Sequence, residues 1–531
     1  MPKKISDETR RVLVRGSAPR KRTDRKILVQ KAPGNAVKGV RKNNKKAEGV
    51  RVDGWHALPA RKAAKHVPVS ERVRRSLHYS VVEGSFMSAG SSIASSFLVP
   101  FALFLKATSA QIGLMASMQN LAVTVGQLPG AVLTEKYSRK SIWLSVQVVG
   151  RILLWIPIML LPFLGLENPV YILILLVSAT AFLIGLRNPA WTSLIGDLVP
   201  SDIRGRYFGR RNMILVAAGI VSTLAAGYIL TWFGFPAIFA LFILLSILAI
   251  PYFMRMYEPP LKVFHYKHRL RVRPSHWPAT LRANRPLVIF TLYMLLTNFF
   301  VDMVAPFYTV YMLRDLGINY ATFSILVVLG ALARIVSFRY WGQLNDRYGS
   351  RKIFVVCAFF GIFVPFLWIG VTDAAGAALV NIYDGLIWSG IDLVAFNYLL
   401  DVTPAERRPQ YVANYNFFIG MGAMLGALTG GLLASIFDSA TISFFHGLQI
   451  IFMISFMLRI AGLVLLPKIS EVGVSHTAVP VRYVFWQAVA VEPAKGMSHA
   501  IHYTFHYPYE IEKEFKNEIR RIRYKLRAAR S

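Results

Sequence analysis

The sequence predicts an all-α membrane protein with twelve transmembrane helices arranged in two pseudo-symmetric six-helix bundles. Three observations support this fold class. Hydrophobic residues make up 54% of the 531 residues, which is more than an ordinary soluble domain of this length contains. These residues fall into runs long enough to cross a bilayer, and motifs of the first half of the chain return in the second half.

Twelve apolar runs, separated by short polar links, occupy the middle of the chain. A spanning helix needs about 20 mostly apolar residues to cross roughly 30 Å of hydrocarbon. The predicted helices cover residues 79–105, 110–134, 141–164, 168–197, 207–233, 235–256, 286–313, 320–343, 352–372, 375–400, 410–436 and 444–467. One long basic link after the sixth run divides them into six plus six.

The predicted domains follow from these runs. Residues 79–256 and 286–467 form the two bundles, residues 257–285 form a cytoplasmic link between them, and residues 1–78 and 468–531 form basic tails. The first tail contains 23 Lys and Arg against 6 Asp and Glu. We expect it to be largely disordered. We expect the second tail to contain a basic amphipathic helix that lies on the membrane surface.

Positive charge predicts the orientation, because short cytoplasmic loops carry an excess of Lys and Arg. With the N-terminus inside, the inner links and the adjoining helix ends contain 20 of these residues, whereas the outer links contain Lys106 and Arg314. Residues 1–78 lack the apolar core of a signal peptide, so the first run should remain as an uncleaved helix. We therefore expect a multi-pass protein of the cell membrane with both termini in the cytoplasm.

Two stretches of sequence recur in the same order, which indicates that a six-helix unit was duplicated. The aligned stretches are 197–212 with 401–416 and 133–140 with 344–352. In the first alignment Asp197 falls on Asp401, and Arg204 falls on Arg408. Parallel repeats are typical of transporters whose substrate site lies near the membrane midplane between the two copies.

The links after the second and eighth predicted helices carry a shared motif. Its second copy consists of Gly342, Leu344, Asp346, Arg347 and Gly349, followed by Arg351 and Lys352. The first copy keeps Lys136, Arg139 and Lys140 but has Glu135 in place of the aspartate. Over about residues 79–467 the chain therefore resembles the major facilitator superfamily, whose hallmark is Gly-x-Leu-x-Asp-Arg-x-Gly followed by basic residues.

The resemblance implies a secondary transporter in which this motif forms a cytoplasmic gate that favours the outward-open state. Glu135 and Asp346 would be its acids, and the basic partners would be Lys136, Arg139, Arg347 and Arg351. The links after helices 4 and 10 also look typical of the family and contribute Asp197, Arg204, Asp401 and Arg408. In the alternative interpretation, these charges serve only to orient the helices in the membrane.

Ionisable residues also occur deep in the predicted helices, where they are costly and normally face a cavity or one another. Arg187 lies ten residues before the end of its run, about 15 Å along a helix. In the family, helices 1, 4, 7 and 10 line the central cavity. The candidates on these helices are Ser92, Ser96, Arg187, Asn188, Trp191, Asn298, Asp302, Asp384, Trp388 and Asp392. Serine stripes also mark tight helix packing, so a purely structural role remains an alternative.

These observations predict a secondary active transporter that moves a small organic solute by alternating access, with protons as the coupling ion. Arg187 and Trp191 would contact the solute. Asp302 or Asp392 would carry the proton, because a carboxyl in a low-dielectric cavity is protonated more readily than in water. Two alternatives remain: a transporter-derived receptor or scaffold that does not transport, and a polytopic membrane enzyme. No histidine lies deep in a predicted helix, so we expect no enzyme and no catalytic residues.

The remaining expectations concern partners. Cys357 is the single cysteine, and we expect no metal site and no cofactor. His499, His502 and His506 have a ligand-like spacing without a nearby cysteine, and their role stays open. We expect a monomer whose basic tails contact anionic lipid headgroups and that has no nucleic-acid partner.

Overall fold

The structure is a computed structural model. It describes residues 71–200, 203–259, 284–403, 408–438, 441–442, 445–470 and 484–485. These residues belong to a compact unit, Pro68–Ser531. Most of both predicted tails and most of the predicted link 257–285, with His499, His502 and His506, lie outside the described residues. We refer to residues 71–259 as the first half and to residues 284–470 as the second half.

The described chain is almost entirely helical. The helices are α1 (Glu71–Phe104), α2 (Ser109–Lys136), α3 (Arg139–Phe163), α4 (Pro169–Leu198), α5 (Arg204–Met254), α6 (Arg285–Asp315), α7 (Tyr320–Tyr348), α8 (Ser350–Ile369), α9 (Ala374–Val402), α10 (Arg408–Phe437) and α11 (Leu448–Lys468). A two-stranded antiparallel hairpin, β1 (Thr441–Ile442) and β2 (Phe445–His446), lies between the last two helices. Thus α1 begins within the predicted first tail.

Local sequence signals start the helices at these positions. Thr108 and Gln111 form a capping box at the start of α2, and the side chains of Asn319 and Asp373 accept from backbone amides in the first turns of α7 and α9. Such caps satisfy amide groups that have no partner within the helix. Gly234 interrupts α5 with a φ of 75°, a conformation that glycine adopts without steric cost.

Ten helical segments among the described residues are long and apolar enough to cross a membrane. The predicted number of twelve is therefore not confirmed. Two features account for the difference. The 28-residue helix α2 is not among the ten. Helix α5 counts once, although its 51 residues would extend about 75 Å, more than twice the hydrocarbon thickness.

The helices of the two halves pair in the same pattern. In the first half α1 packs on α5 and α2 packs on α4, and in the second half α6 packs on α10 and α7 packs on α9. The halves meet where α2 packs against α10 and where α5 packs against α7. If the two arms of α5 are counted as separate helices, each helix of the second pattern lies six positions after its counterpart in the first pattern.

Close contacts seal the halves against each other at one end of the bundle. We call the end where α2 leads into α3 the basic end, and the other the opposite end. Near the opposite end, a Cβ at Gly113 of α2 would collide with the backbone of Gly431 in α10. The Phe97 and Phe323 rings meet edge to face, with their centroids 6.1 Å apart. Small residues permit such close approach of membrane helices.

Candidate functional site

A cluster of four charged side chains lies inside the first half. Glu83 comes from α1, Arg151 from α3, Arg187 from α4 and Arg211 from α5. Arg187 is partly exposed and the other three are buried. All three arginines lie within electrostatic range of Glu83. We call these four residues the arginine cluster; charged groups so placed in a membrane protein are candidates for a functional site.

Arg211 is the nearest basic partner of Glu83. Its Nη2 lies 3.9 Å from Oε2 of Glu83, and its Nε donates to the carbonyl and the hydroxyl of Ser80, at 3.3 and 3.2 Å. The guanidinium also lies over the ring of Trp191, 5.0 Å from its centroid. Gly84 makes this possible, because a Cβ there would lie 2.5 Å from Nη2. Contacts from α1 and α4 together fix this arginine.

Arg151 lies in a π-helical turn of α3, Val149–Leu153, and such turns are frequent at functional sites. Its Nε donates to Oγ of Ser246 at 3.3 Å, and its Nη1 donates to Oγ of Ser91 at 3.0 Å. The buried Nη2 has no hydrogen-bond partner among the described residues. It lies beside Gly90, where a Cβ would be 2.9 Å away. Arg151 therefore keeps one donor group unused.

Arg187 is held less firmly than the other two arginines. Its Nη1 donates to Oε1 of Gln147 at 3.5 Å, and the Gln147 amide itself donates to the carbonyl of Ser246 at 2.8 Å. Arg187 also lies within electrostatic range of Arg151. The predicted neighbours of Arg187 on α4 differ in exposure, since Asn188 is exposed and Trp191 is partly buried.

Glu83 and Arg211 are not among the site residues predicted from the sequence. Arg211 lies seven residues inside α5, or about 10 Å from the start of that helix. The adjacent pair Glu83 and Gly84 was the available signal, because a glycine beside a buried acid leaves space for a large cation.

In the second half, the predicted site residues of α9 lie near Arg334 of α7. Asp392 and Arg334 form an ion pair in which both side chains are nearly half exposed. Asp384 lies within electrostatic range of Arg334 and Arg459 and forms a side-chain hydrogen bond with Trp388. The structure thus brings three of the predicted residues together around arginines of neighbouring helices.

The two candidates on α6 have different surroundings. Asp302 forms a side-chain hydrogen bond with Asn120 of α2, in the other half, and lies within electrostatic range of Arg459. The amide of Asn298 donates at 2.8 Å to the carbonyl of Met294 in its own helix. Asp302 therefore lies where the two halves meet, and part of the Asn298 amide is engaged within its own helix.

A cleft of about 470 Å³, including its open mouth, lies among α6, α8, α9 and α11. Arg459 contributes its polar wall. The Nη1 of this residue donates to the carbonyl of Gly361 at 2.9 Å, and its buried Nε has no hydrogen-bond partner within the described ranges. The aromatic residues of the wall are Tyr293, Phe300, Phe354 and Trp388. The second half thus encloses an apolar space with one cationic group.

The serines of α1 lie against α5. A Cβ at Gly219 would lie 2.5 Å from Oγ of Ser92, and Oγ of Ser88 donates to the carbonyl of Leu215 at 2.7 Å. Ser96, one turn further along, is partly buried. This arrangement favours the helix-packing interpretation for Ser92 over a place in the cavity wall.

At the basic end, Arg139 is fully buried and joins three parts of the first half. Its Nη1 donates to Asp197 at 2.6 Å, its backbone amide donates to Glu258 at 2.8 Å, and its Nη2 donates to the carbonyl of Pro259. Lys140 donates to the carbonyl of the last residue of α5 at 3.0 Å. These bonds tie the ends of α4 and α5 to the start of α3.

The other gate residues of the first copy are free of these bonds. Glu135 and Lys136 are exposed, and neither forms an ion pair among the described residues. The expected partnership of Glu135 with Arg139 is therefore absent from this conformation, because Asp197 and Glu258 occupy the guanidinium.

The second copy of the motif has a similar division. Asp346 and Arg347 are exposed, whereas Arg351 donates from Nε to the carbonyl of Ile469 at 2.5 Å. Asp401, the counterpart of Asp197, accepts from the hydroxyl of Ser350 at 3.2 Å. Thus the basic residue that follows each motif is bonded, and the acid of each motif is exposed.

Two glycines of this copy differ in what they require. Gly349 has a φ of 89° and separates α7 from α8, so a side chain there would be strained. A Cβ at Gly342 would make only an ordinary contact with Leu393, at 3.7 Å. The side chains of Arg204 and Arg408, which begin α5 and α10, lie outside the described residues.

Comparison with known proteins agrees with this architecture. A family model described as Major Facilitator Superfamily matches residues 84–391 and 290–479. The chain belongs to this superfamily. Its members share the transporter fold, and the chain is therefore a multi-pass membrane protein of a transporter family.

Two curated relatives match parts of the chain. An uncharacterized MFS-type transporter of Methanocaldococcus jannaschii is 29% identical over 149 residues, which are 28% of this chain and 38% of the relative. A class H tetracycline resistance protein of Pasteurella multocida is 30% identical over 118 residues, which are 22% of this chain and 28% of the relative. The chain thus spans well under half the length of each.

Two solved structures have a similar fold. A mutant of the nucleoside transporter NupG gives a TM-score of 0.60 at 14% identity, over 75% of this chain and 100% of that one. A D-xylose-proton symporter gives a TM-score of 0.57 at 13% identity, over 75% of this chain and 97% of that one. At these identities, the likeness concerns the fold alone.

Proposed function

We propose that this protein is a secondary active transporter that moves a small organic solute across the cell membrane by alternating access, driven by a proton gradient. The observation that carries the proposal is the charged interior of both halves. The arginine cluster lies in the first half, and Asp302, Asp384 and Asp392 lie in the second. Charges within membrane helices mark substrate and ion pathways in membrane proteins.

The contacts between the halves support a gated path. Close contacts between the halves occur at mid-depth, where a Cβ at Gly420 would collide with the side chain of Thr124, and near the opposite end at Gly113 and Gly431. At the basic end, the motif acids are exposed. We infer an access path that opens toward the basic end, which the distribution of Lys and Arg assigns to the cytoplasm.

Proton coupling is proposed for the second half. Asp392 is partly exposed and paired with Arg334, so protonation of the carboxyl would release the arginine. Asp302 bonds to Asn120 of the other half, so protonation there would change a contact between halves. One of the solved structures with a similar fold is a D-xylose-proton symporter. We propose the same ion for this chain.

A transporter-derived receptor or scaffold is the second candidate. Such a protein would bind a solute without moving it, and its interior would not need to change access. A membrane enzyme has less support, since the chain belongs to a transporter family. We further propose that both termini face the cytoplasm, that the tails contact anionic lipid and that the protein acts as a monomer.

The test is transport by the full chain in proteoliposomes. A panel of labelled organic acids, amines, sugars, nucleosides and tetracycline is offered with and without an inward or outward pH gradient. We expect at least one solute to cross faster than in protein-free liposomes and to respond to the gradient. Binding of a solute without any counterflow exchange would support the receptor interpretation instead. Solute transport at the same rate with and without the pH gradient would show that protons do not drive it.

A further inference from the structure

The arginine cluster carries more positive charge than its own acid can neutralise. Between the ends of the helices, the described charged side chains of the first half that are buried or partly exposed are Glu83, Arg151, Arg187 and Arg211. The other described acids of this half lie near helix ends or in links. Glu83 lies closest to Arg211, at 3.9 Å. Two arginines therefore remain without a carboxylate of their own.

These two arginines lie close enough together to repel each other. Arg151 and Arg187 are within electrostatic range of one another, and burial strengthens the repulsion, because the surrounding medium has a low dielectric constant. Buried charges are normally paired or hydrogen-bonded. An anion beside both guanidiniums would relieve the repulsion, whereas a cation would increase it.

Hydrogen-bond geometry identifies the groups that an anion would contact. Arg151 is buried, with 3% of its surface exposed. Its Nη2 has no hydrogen-bond partner among the described residues. Arg187 is partly exposed, and its described hydrogen bond to Gln147 is long, at 3.5 Å. The partly exposed Arg187 can therefore receive a ligand, and Arg151 has a donor group that no described residue uses.

Apart from Glu83, which lies within electrostatic range of both arginines, the described hydrogen bonds bring no acid to this pair. Ser91 and Ser246 accept from Arg151, and Gln147 accepts from Arg187. Arg211 is held by Ser80 and by the ring of Trp191. In the second half, Asp392 is already paired with Arg334. Arg151 and Arg187 thus donate to neutral groups in these hydrogen bonds. The ion pair of Asp392 with Arg334 forms without any residue of the arginine cluster.

We infer that the transported solute is an organic anion whose carboxylate or phosphate group binds at Arg187, with Arg151 as the second donor. The inference rests on the proposed transport function and adds the chemical class of the solute. Arginine suits both anions, because its planar fork of donors matches the geometry of carboxylate and phosphate oxygens.

The test uses four probes that share one benzene ring and differ in charge. Benzoate and phenyl phosphate are the anions, benzamide is neutral and benzylamine is the cation. Binding to the purified full chain is measured by calorimetry and by the shift in thermal unfolding temperature. We expect one or both anions to bind and the other two probes to bind at least about tenfold more weakly, because only the anions form hydrogen bonds with the arginines in which both partners are charged.

Variants assign the binding to the cluster. Arg187→Gln should weaken anion binding by at least about tenfold, and Arg187→Lys should lose less, because the charge remains. The matched control is Lys106→Gln, which removes an exposed positive charge of the same half at the opposite end. It should leave anion binding unchanged. A preference between benzoate and phenyl phosphate distinguishes a carboxylate solute from a phosphate ester.

Three outcomes would overturn the inference: benzamide or benzylamine binding as tightly as the anions, no anion binding at millimolar concentration, or anion binding that Arg187→Gln leaves unchanged while the variant unfolds at the wild-type temperature. The transport panel separates this failure from that of the proposed function. If a neutral or cationic solute crosses in a gradient-dependent manner, the transporter stands and the anion assignment falls.

Discussion

The two halves pair their helices alike but differ in the charge that their membrane helices carry. Three arginines surround one glutamate in the first half. The second half holds three aspartates, Asp302, Asp384 and Asp392, near two arginines. Duplication therefore preserved the frame, while the interiors diverged toward opposite signs. We interpret the first half as the side that binds the solute and the second half as the side that handles the proton.

The basic end differs between the halves as well. Arg139 is fully buried and bonded to two carboxylates, whereas Arg351, at the corresponding position, bonds to the carbonyl of Ile469. The first half thus uses its motif arginine as a structural centre. In the second half, the motif arginine holds the segment that follows α11.

The largest expected effect concerns proton coupling. Asp392→Asn should reduce pH-gradient-driven transport to the level of empty liposomes while counterflow exchange continues, because the amide cannot carry a proton. Glu83→Gln should keep the response to the pH gradient, because we interpret the second half as the one that handles the proton. Both are measured in proteoliposomes with the solute found in the panel.

Asp315→Asn serves as the control, because Asp315 pairs with Arg314 at the opposite end, away from the cluster and from Asp392. It should keep both activities. Gradient-driven transport that is unchanged in Asp392→Asn would remove this residue from the coupling role. Loss of the gradient response in Glu83→Gln alone would reverse the assignment of the two halves.

The next prediction concerns how much the two motif arginines contribute to the free energy of unfolding. Arg139→Gln leaves Asp197 and Glu258 without their buried partner, and breaking such a pair costs about 3–5 kcal/mol when both groups are buried. Since these carboxylates are partly exposed, we expect about 3 kcal/mol of unfolding free energy. Arg351→Gln loses a bond to one carbonyl and should cost about 1 kcal/mol.

Unfolding of the detergent-solubilised variants, followed by tryptophan fluorescence, measures both costs. Lys140→Gln provides the matched control, because Lys140 neighbours Arg139 but donates to a single backbone carbonyl. Equal destabilisation by the two arginine variants would show that the motif copies have the same structural role and would contradict the comparison.

A third pair of variants compares glycines that face different obstacles. A Cβ at Gly430 would collide with the backbone carbonyl of Met303, whereas a Cβ at Gly84 would meet the end of the Arg211 side chain. Backbone cannot retreat as easily as a side chain. We expect Gly430→Ala to cost about 1–3 kcal/mol, and Gly84→Ala to cost less while it displaces Arg211 from Glu83.

Thermal unfolding orders these two variants. Gly209→Ala is the control, since nothing lies within 4 Å of the added Cβ and alanine is the better helix former by about 1 kcal/mol. It should leave the protein as stable as the wild type or more so. A larger cost for Gly84→Ala than for Gly430→Ala would mean that the arginine cluster, and not the seam between α6 and α10, is the more rigid region.

The sequence predicted the helical frame and part of the site. Apolar runs located the helices, and the four-residue spacing of Asp384, Trp388 and Asp392 correctly placed them on one face of α9. The two predicted helices 207–233 and 235–256 lie together in α5, which departs from helical dihedral angles at Gly234, and the apolar runs do not show whether the chain turns back between them. The predicted helix 110–134 is present as α2, although α2 is not among the ten described segments that are long and apolar enough to cross a membrane.

Partners that are distant in sequence could not be predicted. Arg139 meets Asp197 and Glu258 across 58 and 119 residues, and no local pattern contains that information. The same limit applies to Ser92, because a serine on a helix face contacts a cavity or a neighbouring helix according to tertiary packing alone. Here the neighbour is Gly219 of α5.

The smallest expected effect concerns the motif acids. Glu135 and Asp346 are exposed in this conformation, so Glu135→Gln and Asp346→Asn should each change the unfolding free energy by no more than about 0.5 kcal/mol. If these acids act as gate residues, both variants should nevertheless slow transport, because they would weaken contacts formed only when the basic end closes.

The two motif acids should differ in how strongly their replacement slows transport. Asp346 belongs to the copy that matches the family pattern more closely, and Glu135 belongs to a copy whose arginine is already engaged with Asp197. We therefore expect the greater loss for Asp346→Asn, with Asp373→Asn, at the opposite end of the second half, as the control that keeps its activity. Equal losses would mean that both copies of the motif close the gate together, despite their different arginine contacts.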